Sequence, residues 1–207
     1  KKETPLTAQQ IVDKTFVRSG ADKVGSAQIR FQFRDKKYAA IRKKGTFYLE
    51  RTALNTTSKI RDVISNEGFQ RFEDDTPITV ADTMAVKYRN SINSVHYFSV
   101  LPYGLNDKAV QKKLLPSSVV AGKDYFTVMI TFLEDGGGED FEDVFVYWIG
   151  KEDFLIDYLA YTFHTNGGGK RFRVLKEQCN IKGIRFVDYH NYQPIHPETP
   201  LVDLDLA

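Results

Sequence analysis

The sequence has a single cysteine, Cys179, and no apolar run long enough to span a membrane. One thiol excludes an intramolecular disulfide, and because no His–Asn pair accompanies it we expect this cysteine to be buried rather than catalytic. The longest convincing apolar run, Val144 to Ile149, is far shorter than the ~18 residues of a membrane helix. The chain starts at Lys1 instead of methionine, and residues 1–6 are interpreted as a flexible tether. A removed signal peptide would give such a start, and so would a shortened expressed gene.

Recognised signatures of catalysis are also missing from the sequence, which has neither a nucleophile elbow nor an HExxH motif. His164 and His190 are expected on neighbouring strands, with Asp157 and Asp188 close to them, but no nucleophile or third zinc ligand accompanies the pair. We therefore predict structural roles for all four histidines: His96, His164, His190 and His196. A hydrolase-like enzyme around His164 and His190 is the most distant alternative. We predict no catalysis and no cofactor.

The net charge of +2 is small, but the charges are unevenly distributed along the chain. Residues 1–60 contain 14 Lys and Arg against 5 Asp and Glu, whereas residues 131–160 contain 9 acids and one lysine. We interpret the two regions as solvated faces of opposite sign within one fold.

Many segments have the composition of β-strands, and five of them lie in the second half of the chain. These five are 125–133, 144–149, 155–164, 171–180 and 184–192. Short linkers that contain glycine separate them, and linkers of this length require antiparallel pairing, because a parallel return needs a dozen residues or more. Residues 27–34 alternate between apolar and polar side chains, with Phe31 and Phe33 on the apolar face. Further strands are predicted at 38–42, 46–54, 59–64 and 69–73.

Three helices are predicted to accompany the strands. A capping box that begins at Thr7 starts the first helix, and Gly20 ends it. Thr76 as the cap and Pro77 in the first turn start the longest helix. Its apolar stripe consists of Met84, Tyr88, Ile92 and Val95. A third, short helix is expected over residues 107–114.

The strand at 144–149 is apolar on both faces, and the strand at 155–163 is nearly so. Such strands need a cover on each side, or a bound apolar guest on one side. The long helix can cover only part of a sheet of about ten strands. We therefore predict an α+β fold with one domain over residues 1–207. Its strongly curved antiparallel sheet forms an unclosed β-barrel, and helices cover the concave side and leave an apolar hollow.

The acidic, glycine-rich stretch 134–143 concentrates the oxygen ligands that calcium prefers. The weak candidate ligands are Asp135, Glu139, Asp140 and Asp143. The spacing does not match the helix–loop–helix calcium motif. The alternative is a hairpin tip whose acids keep it soluble and discourage edge pairing.

A basic hairpin near the start of the chain allows two kinds of partner. Its cations are Arg34, Lys36, Lys37, Arg42, Lys43 and Lys44, and Phe31, Phe33 and Tyr38 are interleaved with them. A nucleic-acid surface would need exposed rings for base stacking, but the alternation turns Phe31 and Phe33 toward the core. We therefore predict no nucleic-acid binding. A basic rim against anionic lipid headgroups suits these residues better.

The order of the predicted elements resembles the bacterial lipoprotein-localisation-factor fold. Residues 97–107, 136–148 and 157–169 resemble an uncharacterised family of exported envelope proteins. The first resemblance implies an unclosed β-barrel with helices across its mouth, as used by periplasmic carriers and outer-membrane receptors of acylated proteins. Both imply a location in the periplasm or at the outer membrane. The acidic loop around Glu139 departs from the carrier pattern.

These observations predict a cell-envelope protein that binds an apolar ligand without catalysis. The ligand class is a lipid or the acyl chain of an acylated protein, with an anionic membrane surface as a further partner, and the protein is expected to be a monomer. The residues expected to line the hollow are Phe31, Phe33, Met84, Tyr88, Ile92, Val146, Trp148 and Tyr158. The main alternative is a structural or interaction module whose hollow is filled by its own side chains.

Overall fold

Two antiparallel β-sheets form the framework of the fold. The computed structural model describes residues 5–53, 57–136, 141–164 and 167–205. Within these residues the fold is mostly β with some helix, and twelve strands form two six-stranded sheets. The backbone contacts divide the chain into a small unit, Ala21–Leu101, and a large unit, Lys1–Gly20 with Pro102–Ala207.

The small unit contains one sheet in which each strand pairs with the next along the chain. The strands are β1 Gln28–Phe33, β2 Lys36–Lys43, β3 Thr46–Ala53, β4 Ile60–Ser65, β5 Gly68–Glu73 and β6 Thr76–Ile78. Two-residue turns join several of them, and Lys44 and Gly45 between β2 and β3 both have positive φ, 49° and 82°. Such turns match the right-handed twist of the strands and fix their register. Helix α2, Asp82–Ser99, follows β6.

One face of this sheet, the helix-covered face, packs against α2. Asp62 on β4 is its electrostatic centre, because Arg51 Nη2 on β3 and Arg71 Nε on β5 donate to its carboxylate at 2.7 and 2.6 Å. The Asp62 side chain is only 3% exposed. Both arginines also contact α2. Arg51 Nη1 donates to Ser91 Oγ at 3.0 Å, and the Arg71 guanidinium lies 3.6 Å from the centroid of the Tyr88 ring.

The predicted start of the long helix at Thr76 and Pro77 is wrong. These residues form the short edge strand β6, and the helix begins at Asp82. Asp74 and Asp75 have positive φ values of 47° and 65°, so they form a two-residue hairpin turn that returns the chain to β5. Proline is acceptable in β6 because an edge strand does not need every N–H for pairing.

The large unit contains the second sheet, in the order β12-β11-β10-β9-β8-β7. Its strands are β7 Val110–Val120, β8 Lys123–Phe132, β9 Phe145–Gly150, β10 Ile156–Phe163, β11 Gly169–Ile181 and β12 Ile184–Tyr192. The short helix predicted over 107–114 is wrong, because this segment leads into β7. Ala121 and Gly122 turn β7 back onto β8 with φ values of 48° and 81°. The register shifts between Leu115 and Ser118 around Pro116, which has no N–H to donate.

Helix α1, Ala8–Arg18, begins with the predicted capping box. Gln10 N donates to Thr7 Oγ1 at 3.2 Å, and Thr7 N donates to Gln10 Oε1 at 2.9 Å. At its other end Gly20 has φ +68°, as a helix-ending glycine should. The Arg185 N–H then donates to the Ser19 carbonyl at 2.9 Å, which attaches this helix end to β12.

The predicted antiparallel meander is confirmed, but it forms two six-stranded sheets instead of one sheet of about ten strands. Turn residues identify which strands form hairpins, whereas the choice of edge partners depends on contacts far apart in sequence. The strong curvature, the helices over a concave side and the single domain over 1–207 stay predictions.

Replacing Gly20 by alanine is expected to destabilise the large unit strongly. A Cβ at Gly20 would collide with the Gly183 carbonyl group, and the positive φ adds about 1–2 kcal/mol. Gly122→Ala is the matched control, because Gly122 has φ +81° and open space around its Cβ position. Urea unfolding followed by Trp148 fluorescence should show a loss for Gly20→Ala at least ~2 kcal/mol larger than for the control. Equal losses would contradict the close packing at the end of α1.

Replacing Asp62 by asparagine is expected to destabilise the small unit by about 3–5 kcal/mol, because both arginines lose their buried counter-charge. Asp75→Asn is the control, since the Asp75 side chain is 63% exposed in its pair with Lys59 and solvent screens this pair, so its loss should change stability little. Thermal unfolding followed by circular dichroism measures both variants. A loss for Asp62→Asn no larger than the control's would refute the central role of this carboxylate.

Candidate functional site

The sheet of the large unit has a tryptophan face, which we define by the side chains on the Trp148 side of β8–β11. The strand register places Tyr158 and Thr127 on either side of Trp148, and Val146 between Met129 and Ala160. Phe172 follows on β11, opposite Ala160. The face consists of Tyr125, Thr127, Met129, Val146, Trp148, Tyr158, Ala160 and Phe172. Three of the predicted lining residues, Val146, Trp148 and Tyr158, therefore share one surface.

A short C-terminal segment, residues 200–205, lies on the tryptophan face. It contains a single 3-10 turn, Leu201–Asp203, and Leu204 packs into a cluster with Trp148 and Val146. The indole Nε1 of Trp148 donates to Asp205 Oδ2 at 2.9 Å. Sequence analysis did not identify this segment. The feature of the sequence that indicates it is the spacing of Leu201 and Leu204 after Pro200, which puts two apolar side chains on one side of a single turn.

The approach to the C-terminal segment is held by Lys170 at the start of β11. Its Nζ donates to the Pro197 carbonyl at 2.8 Å and to the Thr199 carbonyl at 2.7 Å. Besides the packing of Leu201 and Leu204, hydrogen bonds hold this segment in place. Lys170 donates to the residues just before it, and the Trp148 indole N–H donates to Asp205. Such hydrogen bonds exchange readily with hydrogen bonds to water, so they fix the position of the segment more than they add to its stability.

The described residues cover the tryptophan face only in part. Val146, Trp148 and Ala160 are fully buried, whereas Met129, Tyr158, Phe172, Val120 and Leu201 are only partly buried around them. Tyr158 and Phe172 stack at 5.9 Å between ring centroids, with their planes 8° apart. A stacked aromatic pair beside a buried indole forms an apolar surface that is still accessible at its margin.

Asp157 organises a polar network beside this face. Lys123 Nζ donates to both Asp157 and Asp153 at 2.7 Å, and the Tyr125 hydroxyl donates to Asp157 Oδ2 at 3.0 Å. The buried Arg185 donates to the Ile156 carbonyl at 2.9 Å and lies 3.5 Å from Asp157. Burial, and secondarily the Asp157 charge, raises the pKa of Tyr125, so this hydroxyl stays protonated as a donor. The network holds β8, β10 and β12 together.

The other predicted lining residues belong to the small unit, where most already pack against neighbours. Ile92 is fully buried, Phe31 stacks on Tyr38 at 5.2 Å, and Tyr88 stacks on Phe69 at 6.2 Å. Phe33 and Met84 are exposed by 36% and 37%. The eight predicted residues therefore form two groups, one in each unit.

His96 on α2 is buried and hydrogen-bonded within the small unit, and its purely structural role stays a prediction. Its Nε2 donates to the Glu50 carbonyl at 3.1 Å, since a carbonyl oxygen can only accept. Its ring meets those of Phe31 and Tyr38 edge-on at 5.7 and 5.6 Å. Burial lowers the pKa of His96 from 6.5 to about 4, and nearby Arg42 acts in the same direction.

Two of the four candidate calcium ligands, Glu139 and Asp140, lie outside the described residues. Asp135 is exposed, and the buried Asp143 interacts with His164, whose Nδ1 lies 2.8 Å from Asp143 Oδ1. Within the described ranges no group of three or more His, Cys, Asp or Glu is arranged to hold a metal. The calcium site stays a prediction.

The remaining reactive side chains are spread over the surface. His190 and His196 are exposed, and Lys176 rather than either histidine binds the Asp188 carboxylate, at 2.9 Å. The expectation that Cys179 is buried is wrong, because the outer half of β11 is exposed. Among the described residues, no helix is long and apolar enough to cross a membrane.

Comparisons with known proteins give one matching family model and two crystal structures of low similarity. One family model, described as "Family of unknown function (DUF6503)", matches residues 6–206. A LolA superfamily protein from Nitrosomonas europaea is 14% identical, with a TM-score of 0.49 over 87% of this chain and 82% of its own. A DUF1329 family protein from Desulfovibrio piger is 15% identical, with a TM-score of 0.48 over 93% of this chain and 89% of its own. No curated protein matched.

The pKa of His96 predicts how the stability of the small unit depends on pH. Between pH 6.5 and about 4 the unfolded state binds a proton that the folded state excludes. Stability should therefore be full above pH 6.5 and fall by about 3 kcal/mol as the pH approaches 4. His96→Phe should remove this contribution, whereas His190→Gln, at an exposed site, should keep it. Urea unfolding across this pH range measures the effect, and an unchanged profile in His96→Phe would contradict it.

Proposed function

The chain belongs to the Family of unknown function (DUF6503), and we propose that it binds an apolar ligand on the tryptophan face without catalysis. The ligand class is an acyl chain, either of a lipid or of an acylated protein. The C-terminal segment moves aside and the chain of the ligand takes its place. In this proposal the protein acts as a monomer in the cell envelope.

The observation that carries the proposal is the small cover on a broad apolar face. Trp148, Val146 and Ala160 are fully buried, yet among the described residues of the C-terminal segment their cover comes from Leu201, in the 3-10 turn, and Leu204, just after it. Most apolar sheet faces of this width pack against a whole helix or a second sheet. A cover of a single turn is small enough to be replaced.

The free energies favour a long acyl chain over the segment. The buried Leu204 and the partly buried Leu201 together contribute at most about 6 kcal/mol, and the hydrogen bond from Trp148 adds about 1–3 kcal/mol. An acyl chain contributes ~0.8 kcal/mol for each buried CH₂, so about ten methylenes supply a comparable gain. Longer chains therefore displace the segment, whereas short ones do not. The partly exposed Met129, Tyr158 and Phe172 extend the surface beyond the leucines.

A second candidate is a structural or interaction module with a self-filled core. The observation that favours it is the complete burial of Trp148 and Ile92 by the chain's own side chains. In this alternative the C-terminal segment is a permanent part of the core, and no acyl chain reaches the indole. The two candidates differ in a measurable quantity, which is contact between an added acyl chain and Trp148.

Brominated fatty acid is the sharpest probe, because bromine quenches indole fluorescence at contact and Trp148 is the only tryptophan. We expect saturable quenching by a long brominated chain and none by a short one. The double variant Leu201→Ser and Leu204→Ser should bind about ten- to hundredfold more tightly, since the competing segment loses its apolar burial.

Val202→Ser is the matched control, because Val202 lies in the same turn but is 41% exposed, and it should leave affinity unchanged. Circular dichroism confirms that each variant is folded. Absence of quenching in both the wild type and the folded double variant would refute acyl-chain binding on this face and favour the self-filled module.

A further inference from the structure

The outer face of β1–β3 in the small unit is a second candidate surface, which we call the basic face. Arg30, Lys37 and Lys43 share this face, because their register positions alternate with the buried Ile29, Tyr38 and Ala40. Arg34 and Lys44 stand in the turns at the two ends of β2. All five cations are exposed. Because β2 has eight residues, the row is about 25 Å long.

The positive charge of the basic face is not neutralised locally. Glu50 is the one acid that the register places on this face of β1–β3. Its Oε2 lies 3.7 Å from Arg61 Nη1, so its charge is paired with Arg61. Asp35, in the first turn, binds Lys36 at 2.9 Å. Across the part of the chain that the structure describes, none of the five cations of the basic face forms an ion pair with an acidic side chain. They are therefore available to an anionic partner.

The side chains beside these cations distinguish among anionic partners. A single-stranded nucleic acid needs exposed rings, but Phe31 and Tyr38 lie on the opposite, helix-covered face, where Tyr38 is 5% exposed. The ring on the basic face itself, Tyr48 opposite Ile41, is half-buried, and its hydroxyl accepts a hydrogen bond from Arg61 at 3.0 Å. The basic face instead presents Ile41, which is 41% exposed, between Ala39 and Lys43 on the same strand. A row of flexible cations around an aliphatic side chain suits a lipid surface, where phosphates are dense and have no fixed geometry.

We propose that the basic face docks the protein on an anionic lipid bilayer, with Arg30, Lys37 and Lys43 against the headgroup phosphates and Ile41 at the headgroup boundary. This docking uses a different surface from the tryptophan face and does not require an acyl ligand. It provides a way to hold the protein beside a membrane from which an apolar ligand would come.

Sedimentation with vesicles tests the docking. The wild type should bind vesicles of mixed phosphatidylglycerol and phosphatidylcholine at low salt, bind phosphatidylcholine alone much less, and dissociate as salt is raised. Each removed cation should weaken binding about fivefold, so the triple variant Arg30→Gln, Lys37→Gln and Lys43→Gln should lose about a hundredfold.

The matched control removes three exposed lysines outside the basic face: Lys87→Gln, Lys108→Gln and Lys113→Gln. It has the same net charge as the triple variant and should keep most of the binding. Equal losses in the two triple variants would overturn the proposal, since binding would then follow net charge alone.

Three further results bear on the same proposal. Wild-type protein that fails to bind phosphatidylglycerol vesicles at low salt would refute it. Tighter binding to single-stranded DNA or to an acidic protein, lost in the same triple variant, would assign the face to that partner instead. Quenching of Trp148 by brominated fatty acid should be unchanged in the triple variant, so failure of docking and failure of acyl-chain binding are distinguishable.

Discussion

Strand β9 imposes the main constraint on the large unit, because all six of its residues are buried and none has a charged side chain. Both of its faces must therefore be covered. Residues 200–205 lie on the tryptophan face. The opposite face includes Phe126, which stacks on Phe154 at 5.9 Å, and Lys14 of α1 lies 5.0 Å above the Phe154 ring. The attachment of α1 at Gly20 and the position of the C-terminal segment both follow from the need to cover both faces of β9.

The small unit meets a different constraint, since its first strands alternate and only one face needs a cover. The helix-covered face contains both apolar side chains and the Arg51–Asp62–Arg71 group, whose charges are satisfied across three neighbouring strands. A buried carboxylate between two arginines fixes register more than it adds stability, because a one-residue slip would leave all three charges unpaired. The outer face is then free to be polar, and its cations need no partner inside the protein.

The sequence predicts local features well where one residue type has one structural use. Thr7 and Gln10 form the expected capping box, and the glycine turns form hairpins. Pro77 misled the prediction because proline suits both a first helical turn and an edge strand, and the positive φ of Asp74 and Asp75 decides between them. The spacing of Leu201 and Leu204 indicates one apolar side for this turn, but it could not show what that side covers, because Trp148 lies more than 50 residues away from Asp205 in sequence. The sequence predicts one hollow for all eight lining residues, because alternation shows which face of its strand a side chain occupies but not which sheet that strand joins.

The hydrogen bond between Trp148 and Asp205 adds a requirement to any ligand of the tryptophan face. If an acyl chain displaced the C-terminal segment, as proposed, the indole N–H would lose its acceptor, and a buried donor without a partner costs about 1–3 kcal/mol. A pure hydrocarbon cannot return that hydrogen bond, whereas a carboxylate or an ester carbonyl can. The proposed displacement therefore favours ligands that combine a long chain with an oxygen acceptor, such as an acyl group, over an alkane of equal length.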